Sequence, residues 1–105
     1  MEQLKLLEKK GANYVLLEAS GTINSYTFSE LQTKLNSYVK DTNVVVDMSM
    51  VTNIDSSGLS VIFAAFNDAE ESGYRLYIMR PSNEARKALD STGFSDTFSI
   101  VQSVT

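Results

Sequence analysis

Three consecutive β-branched residues, Val44-Val45-Val46, closing with Asp47 and Met48, constrain this chain more than any other feature. An unbroken apolar run, unlike an alternating one, fits a central strand covered on both faces, as in the parallel sheet of an α/β layer. Helical patterns lie on either side of it. Upstream, Phe28, Leu31, Leu35 and Val39 share one helical face. Thr27 and Glu30 have capping-box spacing there, with Tyr26 placed to staple onto Leu31. Downstream, a helix from Ser56 or Ser57 to Ser72 carries Leu59, Ile62, Phe63, Phe66 and Ala69 as its stripe. Val61, Ala64 and Ala65 broaden that stripe, and Gly73 caps the helix.

The remaining elements fit around this centre. Leu4 and Leu6 alternate with polar neighbours, Lys9-Lys10-Gly11-Ala12-Asn13 offers a turn, and Tyr14 to Ala19 points Val15, Leu17 and Ala19 to one side. So short a connection predicts an antiparallel hairpin, since a parallel crossover needs a dozen residues or more. Ser20 to Ser25 reads as a loop, and so does Ser49 to Asp55, although the latter carries Met50, Val51 and Ile54. Tyr74 to Met79 reads as a strand with Leu76 and Ile78 inward, stopped by Pro81. Ser82 or Asn83 caps a third helix, Glu84 to Ser91, packed through Ala85, Ala88 and Leu89 and ended by Gly93. Phe98 to Val101 is expected as an edge strand, with Gln102 to Thr105 frayed. The order β-β-α-β-α-β-α-β predicts one α/β domain over residues 1–105, a mixed, mostly parallel sheet with helices packed against it.

Composition limits the chemistry. Among 105 residues there is no cysteine and no histidine. Thiolate nucleophiles, cysteine-ligated zinc and the Ser-His-Asp triad are therefore excluded, and so is the commonest general base near neutral pH. No metal site or cofactor is expected, and a binding or switching module is favoured over an enzyme. A small enzyme using Asp47 or Asp55 as base lacks any supporting set of nucleophile and oxyanion donors. With 9 basic against 13 acidic residues the net charge is −4, and no basic stripe is present to bind nucleic acid. No apolar run nears the roughly 18 residues of a membrane span, and no signal-peptide pattern opens the chain. A soluble, cytoplasmic protein without membrane contact is the expectation.

The unusual residues concentrate in Asp47-Met48-Ser49-Met50-Val51-Thr52-Asn53-Ile54-Asp55-Ser56-Ser57-Gly58-Leu59, joining a buried strand to a helix start. Open α/β sheets present ligands and partners at such places. One reading makes Asp55, Ser56 and Ser57 ordinary N-cap residues, with Gly58 allowing close helix packing. The other makes a serine hydroxyl a phosphorylation site. A phosphate adds about −1.5 to −2 charges at pH 7. The helix N-terminus partly stabilises that charge, while Asp55 repels it.

Ile54-Asp55-Ser56-Ser57-Gly58-Leu59 after a Val-Val-Val-Asp strand closely resembles the signature of STAS-domain anti-sigma factor antagonists. Gly21-Thr22-Ile23 before the first helix resembles the family's other landmark, and the element order covers essentially the whole chain. The resemblance implies a protein that binds an anti-sigma factor, often a serine kinase, and so frees a sigma factor. It implies phosphorylation of Ser56, with Ser57 the alternative acceptor, and reversal by a metal-dependent serine phosphatase. The implied partner surface comprises Asn24, Ser25, Thr52, Asn53, Asp55, Ser56 and Ser57. Asn24 stands where the family commonly has an acidic residue, and Ser60 where many relatives have glycine. The alternative within the same resemblance is a scaffold subunit of a larger assembly, such as a lipid-transport complex, without phosphorylation.

Other signals carry less. Asp47 and Arg80-Pro81 at strand ends resemble a phospho-aspartate receiver, but receivers need an acidic pair after their first strand, where this chain has strands expected to end in Glu8 and Ser20. Asp68, Glu70 and Glu71 read as a solvated helix face. Tyr26, Tyr38, Tyr74 and Tyr77 read as core margins or strand surface.

Overall fold

The computed structural model, which describes residues 3–92 and 99–101, puts the valine run in the middle strand of a five-stranded sheet. The elements are β1 (Lys5–Lys10), β2 (Tyr14–Ile23), α1 (Phe28–Tyr38), β3 (Asn43–Ile54), α2 (Ser56–Glu71), β4 (Leu76–Met79), α3 (Asn83–Ser91) and β5 (Ser99–Val101). Sheet order follows chain order, with β1 antiparallel to β2 and every other pair parallel. This is the mixed, mostly parallel α/β sheet that the sequence predicts. Gly93, Phe98 and Gln102 to Thr105 lie outside the described residues.

The register explains the core. Leu17 pairs with Val46, and Val46 with Ile78, so three fully buried side chains form a row across the central strands. Leu31 and Leu35 of α1, Val61, Ile62, Ala65 and Ala69 of α2, and Ala85 and Leu89 of α3 all pack into the same cluster. Each large aliphatic side chain removed from water in this way contributes about 1.5–3 kcal/mol. The innermost stripe of α2 is rotated from the expected one. Leu59, Phe63 and Phe66 are only half-buried at its flank, and Ala64 is exposed.

The valine strand is not sandwiched between helices. Among the described residues all three helices cover one face, because sequential parallel strands joined by right-handed crossovers place every helix on the same side. On the other face Leu16, Val45 and Met79 form a small second cluster beneath Tyr14, Tyr77 and Val101. Val45 is therefore shielded by its strand neighbours.

Both segments read as loops continue as strands. β2 runs on through Ser20 to Ile23, and β3 through Ser49 to Ile54, paired from Ser20 and Met50 to Ile23 and Ile54. Two register shifts, at Glu18/Ser20 and Gly21/Thr22, absorb the mismatch between them. Val51 is thereby buried, while Met50 stays exposed. β1 likewise extends through Lys9 and Lys10, leaving Gly11 to Asn13 as the turn, and β4 begins only at Leu76. α2 ends with Ser72 at the C-cap and Gly73 at φ +84°. Ser82 caps α3 by accepting the Ala85 N–H at 3.1 Å.

Asp47 is the only buried charged residue among those described. The Arg80 guanidinium donates to its Oδ2 at 2.7 Å and the Ser49 N–H to its Oδ1 at 2.9 Å. Burial alone raises the carboxyl's pKa, but the Ser49 and Arg80 hydrogen bonds outweigh it and hold the group below its ordinary value. Arg80 adopts φ +46°, and its N–H donates to the Val101 carbonyl.

Candidate functional site

The extended pairing of β2 and β3 delivers the two candidate segments to one corner. Ile23 pairs with Ile54, and the Asp55 N–H donates to the Ile23 carbonyl at 3.1 Å. Asn24 and Ser25 therefore leave β2 beside the point where Asp55 and Ser56 begin α2. Thr52 and Asn53 lie exposed at the end of β3, with the Thr52 and Thr22 hydroxyls 3.5 Å apart. All seven residues singled out in the sequence meet at this end of the sheet.

Capping at the helix start falls to Asp55. Its Oδ1 accepts the N–H groups of Ser57 at 2.9 Å and Gly58 at 3.2 Å, satisfying two donors that would otherwise lack partners. Ser56 follows as the first residue of α2 and is exposed, whereas Ser57 is half-buried. The Ser56 carbonyl accepts from the Ser60 hydroxyl at 2.8 Å, and the Ser56 hydroxyl takes no part in the cap. A serine at Ser60 thus fits without disturbing the turn.

Two glycines fix how closely this corner can pack. A Cβ on Gly58 would stand 2.6 Å from Ile23 Cγ2 and 2.7 Å from Ile54 Cγ1, so glycine lets α2 sit directly on the strand ends. Gly21 has φ +97°, and a Cβ there would meet the Gln3 carbonyl oxygen at 2.2 Å. It allows β2 to bend beneath the N-terminal segment just before the loop.

The first loop is held differently from the sequence expectation. The Thr27 hydroxyl does not cap α1; it donates to the Thr22 carbonyl at 2.8 Å and accepts the Asn24 N–H at 2.9 Å. With its hydroxyl committed to β2, the capping box with Glu30 does not form. The Asn24 side-chain oxygen accepts the Tyr26 N–H at 2.8 Å, and its carbonyl accepts from Thr27 and Phe28. This turn points Tyr26 outward, 81% exposed, so the staple onto Leu31 is also absent. Tyr38 and Tyr74 do flank the core and Tyr77 lies on the strand surface, but Tyr26 is a loop-tip residue. The signal for it was a lone aromatic amid Asn24, Ser25 and Thr27.

The two chain segments that build the corner bring no basic side chain to it. Neither residues 11–33 nor residues 41–74 include a lysine or arginine. A phosphate on Ser56 would find backbone N–H groups and the positive helix end, but no cation from the segments that build the site. Asp68, Glu70 and Glu71 belong to the far end of α2. No helix among the described residues is long and apolar enough to cross a membrane.

A family model described as the STAS domain matches residues 4–105. The chain is 24% identical over 96 residues to an anti-sigma-B factor antagonist of Listeria monocytogenes, covering 90% of this chain and 84% of that one. Its fold is similar to that of an anti-sigma factor antagonist from Mycobacterium paratuberculosis, with a TM-score of 0.85 and 20% identity, covering 97% and 88% of the two chains. It is also similar to the phosphorylated form of the Bacillus cell fate determinant SpoIIAA, with a TM-score of 0.69 and 16% identity, covering 95% and 90%.

Proposed function

The chain belongs to the STAS domain family, and on that premise we propose that it is an anti-sigma factor antagonist switched by phosphorylation of Ser56. The carrying observation is the division of labour at the start of α2. Asp55 performs the capping, which leaves the neighbouring Ser56 exposed and available to chemistry. The names of its relatives support the partner class, and one similar structure is of a phosphorylated protein.

In this reading the unmodified corner, from Asn24 and Ser25 across to Thr52, Asn53, Asp55, Ser56 and Ser57, binds an anti-sigma factor that is also a serine kinase. Phosphorylation forms a bond between Ser56 Oγ and the γ-phosphorus of ATP and breaks the bond to the β–γ bridging oxygen. ADP leaves, and the hydroxyl proton passes to a base of the kinase. The new dianion has no lysine or arginine from these segments to pair with, so it stays in solvent beside Asp55. Re-forming the complex would mean desolvating it, which costs several kcal/mol unless the partner supplies a cation. A metal-dependent serine phosphatase restores the binding form. Asn24 retains the acceptor oxygen that shapes the first loop but contributes no charge.

The test is binding of purified Ser56→Glu and Ser56→Ala variants to the anti-sigma factor of the source cells. Ser56→Glu is expected to weaken the complex by about 100-fold, and Ser56→Ala by no more than a few-fold. Both variants should melt close to the unmodified protein. Equal binding by Ser56→Glu, or a large loss of melting temperature in Ser56→Ala, would contradict the proposal. A stoichiometric complex indifferent to Ser56 and to ATP would instead indicate a scaffold subunit.

A further inference from the structure

Among the described residues the helices leave one face of the sheet uncovered, and that face is not a polar one. Strand register lays two rows across its full width. One holds Lys9, Leu16, Val45, Tyr77 and Ser99; the other holds Leu7, Glu18, Asp47, Met79 and Val101. We propose that this face is the contact between two copies of the chain, packed sheet against sheet in a symmetric dimer. The inference goes beyond the switch at Ser56 and does not depend on it.

Sequence and topology give the first support. Parallel strands are almost always covered on both faces, and the unbroken Val44-Val45-Val46 run is the pattern of such a strand. The helices cover only the side of Val44 and Val46. On the side of Val45, a second sheet about 10 Å away supplies the missing layer. Five strands about 4.8 Å apart, with about five residues each, give one copy a footprint of about 400 Å². Two copies then bury about 800–1,000 Å² in total, between crystal contacts and permanent dimers, so the dimer forms in a concentration-dependent way.

Shape and charge select a second copy over other occupants. In a two-fold contact the same patch must supply both the projections and the hollow that receives them. Here Leu7 and Met50, 65% and 68% exposed, flank a concavity of about 370 Å³ whose lining they share with Ser20, Ser49 and the Asp47–Arg80 pair. Every charge in the two rows already has a partner: Lys9 meets Glu18 at 3.0 Å, and Asp47 meets Arg80 at 2.7 Å. These rows therefore offer no free charge to a nucleic acid or a charged peptide, yet a second copy covers them without stranding an ion. Lys5 stands on the edge strand β1, exposed at the rim. Because the chain carries a net charge of −4, a face whose charges cancel is where two copies repel each other least.

The experiment is sedimentation equilibrium of the purified chain from about 1 to 500 µM, beside Leu7→Lys, Met50→Lys and, exposed on α2, Ala64→Lys. Leu7 pairs with Glu18, so a lysine there suits the folded strand while setting like charges against each other in the dimer. The unmodified chain and Ala64→Lys are expected to pass from monomer to dimer over this range. Leu7→Lys and Met50→Lys should each raise the dissociation constant by about tenfold or more. Melting temperatures taken at about 1 µM, where all are monomers, should agree within about 2 °C. The two variants are read independently, so if one melts early the other decides. A monomer at every concentration, a dimer indifferent to both Leu7→Lys and Met50→Lys, or one broken by Ala64→Lys would overturn the proposal.

Discussion

Asp55 and Ser56 illustrate how two adjacent polar residues at a helix start acquire different duties. The carboxylate of Asp55 accepts two backbone N–H bonds, so its removal in Asp55→Ala should lower stability by about 1 kcal/mol, read by chemical denaturation. Ser56→Ala should leave the same curve almost unmoved, because the lost hydroxyl caps nothing. If the two substitutions cost the same, Ser56 shares the capping. Gly58→Ala should cost about 1–3 kcal/mol, since the added methyl group meets Ile23 and Ile54 below van der Waals distance. The Asp-Ser-Ser-Gly motif was legible in the sequence because those residue types suit a helix start whatever else they do. Which of them caps was not, since that depends on the backbone angle at Asp55. Tyr26 was misread for a related reason. Spacing suggested a staple, but the fold committed the Thr27 hydroxyl to Thr22, and that pairing depends on where β2 ends.

At the scale of elements, the β1–β2 hairpin and the inward residues Leu31 and Leu35 of α1 and Ala85 and Leu89 of α3 were readable from periodicity, whereas the innermost stripe of α2 and the length of β3 were not. The second half of β3 mixes Ser49, Thr52 and Asn53 with apolar residues, and its strand character comes from pairing with Ser20 to Ile23 across register shifts that no local pattern encodes. The assignment of the valine run to a doubly covered strand failed on topology, because a sheet whose order follows the chain keeps its helices on one side. Asp47 and Arg80 mark the face without helices, and they yield a pH prediction. The folded carboxyl of Asp47 titrates below its unfolded value of about 3.9, so its contribution is complete above that pH and is lost as pH falls through the folded pKa. Arg80→Met leaves the buried carboxylate short of a donor and should cost about 1–2 kcal/mol at pH 7, a modest figure because Arg80 is half exposed. Denaturation at pH 7 and at about pH 3 should show the gap between variant and unmodified protein shrinking in acid. An unchanged gap would assign the loss to packing.

For the molecule as a whole, the sheet brings the loop after β2 and the β3–α2 junction, far apart in sequence, to one end and leaves Ser56 there in solvent. Fold class was legible because the motif, the glycine landmark and the element order agree with one another, and the seven candidate residues were named from the same resemblance. Their meeting at one corner required the strand pairing. The proposed switch is a surface event, and the core of Leu17, Val46 and Ile78 lies fully buried away from the exposed Ser56. The Ser56→Glu variant should accordingly give the same amide hydrogen-exchange pattern in β2, β3 and β4 as the unmodified chain, even where it no longer binds its partner. Loss of protection in those strands would mean that the charge acts by loosening the fold.

Mass analysis of the chain after incubation with ATP and the anti-sigma factor of its source cells decides whether Ser56 is the proposed acceptor. One added group of about 80 Da is expected, located by peptide fragmentation on Ser56 and absent from Ser56→Ala. Phosphate located on any other residue, or incorporation that persists in Ser56→Ala, would contradict it.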